Sequence, residues 1–292
     1  MPSWTNATTS PRVKGVLRPD EVQEAAGLRR DLSVSRALAP FVERYWSVSW
    51  DRTGLPPFRS EVLSHPAVNL SVEEGSGPRF GVPMPAVLVH GPVTRRGVVD
   101  LIGTGRVTAA KFRPGGWVAF SGRPSHRNTI APLDPALGLD PERLLAAVLV
   151  EPDDDERVAV LDAALAPLAP EPAAAYLELS ALVDAMSEDR SIVRVEQLAA
   201  LGAMSTRSLQ RLFRGYVGIS PKRVLARYRL QDAAAAIDAG EVTDLSTLAT
   251  ELGWFDQAHF SRDFRAVVGV TPSAYLSRAR TGGPGRVDQS LI

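Results

Sequence analysis

The sequence predicts an α+β protein in three successive parts: an N-terminal antiparallel β-barrel or jelly-roll-like domain, a helical connector, and a C-terminal all-α domain. Three observations support this division. Before residue 134, short apolar runs are broken by Gly and Pro, which is typical of antiparallel strands. From Asp134 to Asp189 there are fourteen acidic and two basic residues, and the apolar spacing becomes helical. Residues 198–276 then contain one helical pattern twice, about 51 positions apart.

The N-terminal β domain is predicted over residues 16–135. A short helix is expected near residues 20–27, followed by strands from residue 36 to about residue 127. Residues 45–50 alternate aromatic or apolar side chains with small ones, and residues 68–72 alternate in the same way. This alternation is expected of strands that bury one face.

The connector is predicted over residues 136–187. Residues 141–150, 153–165 and 172–186 have the spacing of helices, with prolines between the second and the third. Two roles remain open for these helices: they dimerise or dock the domains on either side, or they form a helical spacer.

The repeated pattern, within a domain predicted over residues 188–280, reads as helix, tight turn, helix. In each copy the first helix ends at a Gly, 202 or 253, and three residues later Ser205 or Asp256 is a good N-cap for the second helix. The second copy has one inserted residue, which the alignment places before its Leu252-Gly253 pair. Two such copies predict a double helix-turn-helix domain.

The second helix of the first copy has an apolar side and a polar side. The apolar side carries Leu209, Leu212, Phe213 and Tyr216; the polar side carries Arg207, Gln210, Arg211 and Arg214. Residues 201–230 contain seven Arg or Lys and no Asp or Glu, although the whole chain has zero formal net charge. A charged helical face is often only solvated, but its repetition with the same caps favours an outer helix that enters a DNA major groove.

Two segments carry a family resemblance in this region. STRSLQRLFRGYVGISPKRVLARYRLQDA in the first copy and LATELGWFDQAHFSRDFRAVVGVTP in the second resemble the DNA-binding domain of AraC/XylS-family bacterial transcription regulators. The resemblance implies two helix-turn-helix units that read successive major grooves. It also implies a linker helix between them, here at about residues 221–239.

The resemblance also implies which side chains contact DNA. The base-contacting positions fall at Arg207, Gln210, Arg211, Gln257, His259 and Arg262. Arg can bind guanine, and Gln adenine, through two hydrogen bonds, so these residue types suit base recognition. Positions at the ends of the recognition helices suit phosphate, and the expected phosphate contacts are Ser205, Arg214, Lys222, Arg223 and Arg265.

A second resemblance covers the N-terminal part. FVERYW, LSHPAVNL, GPV and KFRPGG, in this order, are similar to the N-terminal domain of one subgroup of AraC-like regulators, a small β-barrel or jelly roll that is distantly cupin-like. Aromatic residues in such a domain either line an apolar effector pocket or fill its core, and both readings stay open. The candidate pocket residues are Trp46, Trp50, Phe58, Phe80 and Trp117.

Several functions lack the residues they need. The chain has no cysteine, which excludes disulfides, Cys-based zinc sites and Cys nucleophiles. No catalytic motif and no cofactor fingerprint is found, so no catalytic residue, cofactor or metal is predicted. His65, His90 and His126 are not paired as cupin metal ligands usually are, but a site assembled in space leaves one alternative: a metal-dependent cupin-type enzyme fused to a DNA-binding module.

The expected partner is double-stranded DNA. A small-molecule effector, RNA polymerase and a second copy of the chain are further candidates, and an N-terminal domain that only dimerises is another reading. No apolar run suits a membrane span or a secretion signal, so a cytoplasmic protein is expected. Residues 281–292 are expected to form a flexible tail.

Overall fold

The computed structural model describes residues 16, 17, 19–124, 126–189 and 191–281. Residues 282–292 of the predicted tail lie outside them, and residue 281 ends a helix. The strands are β1 (Gly27–Leu32), β2 (Val42–Arg52), β3 (Phe58–Val62), β4 (Asn69–Gly75), β5 (Ala86–His90), β6 (Gly97–Leu101), β7 (Gly103–Phe112) and β8 (Ile130–Pro132). The α-helices are α1 (Pro19–Ala25), α2 (Gly116–Ser121), α3 (Pro141–Leu149), α4 (Asp154–Leu165), α5 (Ala174–Glu188), α6 (Val195–Leu201), α7 (Thr206–Tyr216), α8 (Pro221–Asp238), α9 (Leu245–Glu251), α10 (Gln257–Val268) and α11 (Pro272–Thr281).

The strands form two antiparallel sheets. Six of them pair in the order β1-β2-β7-β4-β5-β8, and β3 pairs with β6 in a separate ribbon. The fold class is therefore α+β as predicted, but the barrel is not closed. Closure would require a continuous ladder of strand pairs around the domain, and the two sheets pair only within themselves.

The two faces of the six-stranded sheet pack against different partners. On one face, Trp50 and Val107 pack against the ribbon through Leu101 and Phe58. The opposite face belongs to the largest core, together with helices of the connector. Successive side chains of a strand point to opposite faces, so these two packed faces agree with the alternation that the sequence of the long strands shows.

The connector helices dock on the β domain, partly through their acidic residues. On α4, Asp154 accepts hydrogen bonds from Ser47 (2.7 Å) and from Arg106 of β7 (2.5 Å). Asp184 of α5 pairs with Arg113 at 2.9 Å. Of the two roles left open, the structure therefore favours docking over a spacer, and part of the acidic excess pairs with cations of the β domain.

The C-terminal helices pack against the β domain through α8. The ring of Tyr228 stacks on that of His65, with centroids 3.7 Å apart. Gln231 donates to the backbone oxygen of Leu63, and the backbone N–H of Arg96 donates to Val267 at the end of α10 (2.9 Å). The β domain thus contacts both helix-turn-helix units and the helix between them. Among the described residues, no helix is long and apolar enough to cross a membrane.

Candidate nucleic-acid interface

Helix α7 presents a polar face to solvent. It begins after Ser205, whose hydroxyl accepts a hydrogen bond from the backbone N–H of Ser208 (3.1 Å) and so caps the helix. Leu209 and Phe213 are completely buried and fix the rotation of the helix. The predicted contact residues on its opposite side are all exposed: Arg207, Gln210, Arg211 and Arg214.

Helix α10 repeats this arrangement in the second unit. Its N-cap is Asp256, whose carboxylate accepts from the backbone N–H of His259 (2.6 Å). Phe260, Phe264 and Val268 are completely buried at successive turns. The predicted contacts Gln257, His259, Arg262 and Arg265 are exposed. The His259 ring lies 3.4 Å from the Asp263 carboxylate, so a base contact by His259 would compete with this partner.

The linker helix α8 matches its predicted extent to within one residue. Pro221 occupies the first turn, where its missing N–H costs no hydrogen bond, and the helix ends before Gly240. Lys222 and Arg223 are exposed at its start, close in sequence to the end of α7. This position agrees with the expectation that phosphate contacts lie at the ends of the recognition helices.

Two of the seven basic residues in the 201–230 stretch have structural roles instead. Arg227 is 3% exposed and donates to the backbone oxygens of Val93 (2.9 Å) and Arg95 (2.8 Å). Arg229 lies 3.9 Å above the ring of Trp254. Burial lowers the pKa of each guanidinium to about 10. The exposed cations of this stretch are therefore the five that were predicted to contact DNA.

The turn of the second unit is one residue longer than that of the first. The extra residue does not lie before the Leu252-Gly253 pair, where the sequence alignment placed it. Each first helix closes with the same backbone bond, from Met204 to Ala199 (3.0 Å) and from Trp254 to Ala249 (2.9 Å). In the first unit the N-cap follows Met204 directly, whereas in the second Phe255 comes between Trp254 and the N-cap.

The inserted residue is therefore Phe255, and the alignment of the two Leu-Gly pairs was wrong. Leu201 is 58% exposed, whereas Leu252 is buried. The left-handed backbone position after the first helix is Ala203 (φ 48°) in one unit and Gly253 (φ 78°) in the other. Gly202 thus has a different position from Gly253.

The five candidate effector-pocket residues do not form one site, although Trp46, Trp50 and Phe58 share a cluster and the Arg79 guanidinium lies over the rings of both Trp50 and Phe80. Trp46, Trp50 and Phe58 pack between the two sheets, while Trp117 is on α2, a helix that was not predicted, and packs edge-on against Phe112 at 5.1 Å. Phe80 is 38% exposed. Trp117 therefore belongs to the main core, as the alternative reading of these aromatics expected.

One cavity of about 550 Å³ lies at the end of the sheet beside α3. Of the five candidates, only Trp50 lines it. The other lining residues are Ser49, Glu74, Gly75, Ser76, Pro85, Thr104, Gly105, Arg106 and Leu149. Its volume is in the range of small-molecule sites, but it is open to solvent rather than enclosed. Its two charged lining residues are already paired, Glu74 with Arg157 (2.6 Å) and Arg106 with Asp154 (2.5 Å).

The histidines of the N-terminal part occupy separate environments. His65 is buried against Tyr228, the ring of His90 is 2.9 Å from the buried Glu73 carboxylate, and His126 is exposed in a loop. Burial alone would raise the pKa of Glu73, but the hydrogen bond from His90 and the charge of Arg79 bring it below its usual value. Within the described part of the chain, no three His, Asp or Glu side chains are grouped as metal ligands are.

Comparison with known protein families gives two separate matches, one in the C-terminal part of the chain and one in the N-terminal part. Residues 198–278 match a family model described as a helix-turn-helix domain. Residues 32–130 match a domain of unknown function (DUF6597).

The curated relatives match over the C-terminal part only. An uncharacterized HTH-type transcriptional regulator of Haemophilus influenzae is 33% identical over 96 residues, which is 33% of this chain and 32% of that protein. The RCS-specific HTH-type transcriptional activator RclR of Escherichia coli is 34% identical over 31% of each chain. The XylDLEGF operon transcriptional activator of Pseudomonas putida is 28% identical over 30% of this chain and 28% of its own. The chain thus spans about a third of the length of these relatives.

Solved structures were also matched. ToxT of Vibrio cholerae aligns over 86% of this chain and 97% of its own, with 9% identity and a TM-score of 0.41. The C-terminal domain of AraT, a response regulator of Geobacillus stearothermophilus, aligns over 40% of this chain and 90% of its own, with 23% identity and a TM-score of 0.31. The sequence matches and the paired helical geometry together identify residues 198–278 as a helix-turn-helix domain of the AraC type.

Proposed function

We propose that this chain is a sequence-specific DNA-binding transcription regulator that reads two successive major grooves. The observation that carries the proposal is the pair of capped helices, α7 and α10, whose buried sides are fixed and whose exposed sides carry Arg, Gln and His. The relatives named above are transcription regulators, which favours this function over the enzyme alternative. In this proposal residues 188–280 bind DNA, residues 16–135 control binding, and residues 136–187 dock the two.

Selection of bound DNA tests the proposal. The purified full-length protein is incubated with random duplexes, and the retained DNA is sequenced to define a preferred site. Arg211→Ala removes a guanidinium that can bind a guanine in two-pronged fashion, an interaction worth ~1–3 kcal/mol of base discrimination. We expect affinity for the preferred site to fall by about 5- to 150-fold while affinity for random DNA changes little.

Arg36→Ala is the matched control, because Arg36 is an exposed arginine of the β domain, far along the chain from both recognition helices. Its affinity for both kinds of DNA should equal that of the wild type. Equal losses on preferred and random DNA in Arg211→Ala would mean that Arg211 contacts only phosphate. Failure to enrich any sequence would contradict the proposed function itself.

Control by a small-molecule effector is the second part of the proposal. The cavity beside Trp50 is lined by the sheet and by Leu149 of α3, so an occupant would contact both the β domain and the connector. The connector in turn reaches the first helix-turn-helix unit, where α5 packs with α7 in the main core. An occupant of the cavity would therefore be able to change the position of that unit.

Filling the cavity tests this part. Leu149→Trp should occupy the space and abolish any change in DNA affinity that cell-derived small molecules cause in the wild type. Its DNA affinity without added molecules should stay the same. A Leu149→Trp protein that responds as the wild type does would place the effector elsewhere.

A further inference from the structure

Phe255 is the most exposed large apolar side chain among the described residues, at 92%. It is the extra residue in the turn of the second unit, immediately before the N-cap of α10. Phe255 is not among the residues that were predicted to contact DNA. It lies just before the N-terminal end of a recognition helix, where an exposed side chain can contact a bound molecule.

The backbone on both sides of Phe255 is anchored. Trp254 is buried, its indole N–H donates to the Asp263 carboxylate (2.9 Å), and Arg229 covers its ring. Asp256 is held by its capping bond to His259. The aromatic side chain is therefore presented from a fixed point, which reduces the conformational entropy that binding would cost.

In the first unit, the same turn packs a half-buried apolar side chain against the main core. Met204 turns inward, so that a Cβ added to Gly202 would meet both the Met204 methyl (3.1 Å) and Leu182 (3.3 Å). In the second unit Trp254 takes this inward position. The added residue, Phe255, is exposed and lies two positions before Gln257, the first residue of the recognition helix.

We propose that Phe255 packs against the C5-methyl group of a thymine in the major groove read by α10. This inference rests on the proposed function. Residues at the N-terminal end of a recognition helix contact base edges, and the thymine methyl is the apolar group that the major groove displays. The exposed side chains along this face of α10 are polar or cationic, namely Gln257, His259 and Arg262, which suits DNA as the occupant. The one acid beside Phe255, Asp256, is engaged in capping the helix.

Replacing thymine by uracil tests this contact, because uracil keeps the base pair and removes only the methyl group. Each thymine of the preferred site is replaced in turn, and the affinities of the full-length wild type and of Phe255→Ala are measured. At one thymine in the half of the site read by α10, the wild type should lose about fourfold in affinity, the factor expected for burying one methyl-sized group. Phe255→Ala should bind thymine and uracil DNA equally at that position.

Val150→Ala is the matched control, since Val150 is 75% exposed and lies in the connector. It should keep the wild-type preference for thymine. A wild type that is indifferent to every uracil replacement would overturn the proposal, as would a Phe255→Ala protein that keeps the preference. Loss of transcription activation by Phe255→Ala with unchanged DNA affinity would instead assign Phe255 to a protein partner. In each of these outcomes, a preferred site that still depends on Arg211 leaves the proposed function standing.

Discussion

At the scale of single residues, the basic stretch separates into side chains that face solvent and side chains that hold the fold. Arg227 is enclosed by the β domain and hydrogen-bonded to its backbone, whereas Lys222 and Arg223, one turn earlier on the same helix, are exposed. Both kinds are Arg or Lys in a run without acids, so the sequence does not distinguish them. The helical period predicted the exposed side of α7, because it depends only on neighbours along the chain.

Lys222 and Arg223 should bind phosphate without reading sequence. Each phosphate contact releases condensed counterions, which makes log affinity fall with log salt by about 0.9 for each contact. Replacing both with Ala should therefore reduce the slope by about two. Titrations of DNA binding at several salt concentrations measure it, and an unchanged slope would mean that both side chains stay in solvent. Arg36→Ala should leave the slope as it is.

The turn of the first unit has a non-glycine residue in a left-handed conformation. Ala203 has φ 48°, where the equivalent Gly253 has φ 78°. A Cβ in this region costs roughly 1–2 kcal/mol, part of which the flexibility of an unfolded glycine offsets. Ala203→Gly should therefore increase the free energy of unfolding by about 0.5 kcal/mol in urea titrations.

The reciprocal change has the opposite sign. A Cβ at Gly253 would also come within 2.7 Å of Val193, so Gly253→Ala should destabilise the fold by more than Ala203→Gly stabilises it. If Ala203→Gly has no effect or destabilises, the turn is not strained at that residue.

At the scale of secondary-structure elements, segments with a clear apolar period or clear end signals were predicted, and elements without them were missed. The connector helices and the paired helices of the repeat follow from apolar periodicity and caps. Helix α2 has only six residues, less than two full turns, and strand β1 reads Gly-Leu-Arg-Arg-Asp-Leu, which has no apolar-polar alternation. Their conformation depends on packing, as when Trp117 of α2 packs against Phe112 of β7. The α+β class with an antiparallel sheet was predicted, but not that the barrel stays open, since alternation identifies strands and not their pairing.

Docking of α4 on the sheet should depend on Asp154 and on pH. Burial alone raises the pKa of Asp154, but hydrogen bonds from Arg106 and Ser47 bring it below the usual 3.8. Because the folded pKa is the lower one, this contribution is present above pH 3.8 and is lost as the pH falls through the folded pKa. Asp154→Asn should lower the free energy of unfolding by ~2 kcal/mol at pH 7, with the difference shrinking below pH 3.8.

Asp155→Asn is the control on the same helix. Its side chain is 67% exposed and pairs with Arg29 at 3.0 Å. An exposed pair of this kind is worth ~0.2–1 kcal/mol, so this variant should change stability less than Asp154→Asn. Equal effects of the two changes, or a difference that does not vary with pH, would mean that Asp154 is not the electrostatic anchor of α4.

At the scale of the whole molecule, one core joins the sheet, the connector and the first helix-turn-helix unit. The sequence predicted separate parts, because composition and charge change sharply at their boundaries, but contacts between parts leave no local pattern. Arg227 and Val93 lie 134 positions apart, and nothing near either residue indicates the other. The β domain therefore helps to hold the helix-turn-helix units in place, which is consistent with the regulatory role proposed for it.

Dimerisation through the β domain makes a distinct prediction about the spacing of half-sites. A dimer gains affinity because the second half-site is bound by an already tethered copy. Inserting about five base pairs between half-sites turns them to opposite faces of the duplex. The full-length protein should then bind only as tightly as it binds one half-site. Unchanged affinity on the altered DNA would mean that the chain does not bind as a dimer.

The central claim is that one chain reads two successive major grooves, and protection of guanine N7 from methylation tests it most directly. On its preferred site the protein should protect two groups of guanines centred about one helical turn, ~34 Å, apart on the same face. Arg211→Ala should remove protection in one group, and Arg262→Ala in the other. Protection of a single groove, or loss of both groups in either variant without loss of overall binding, would contradict the account.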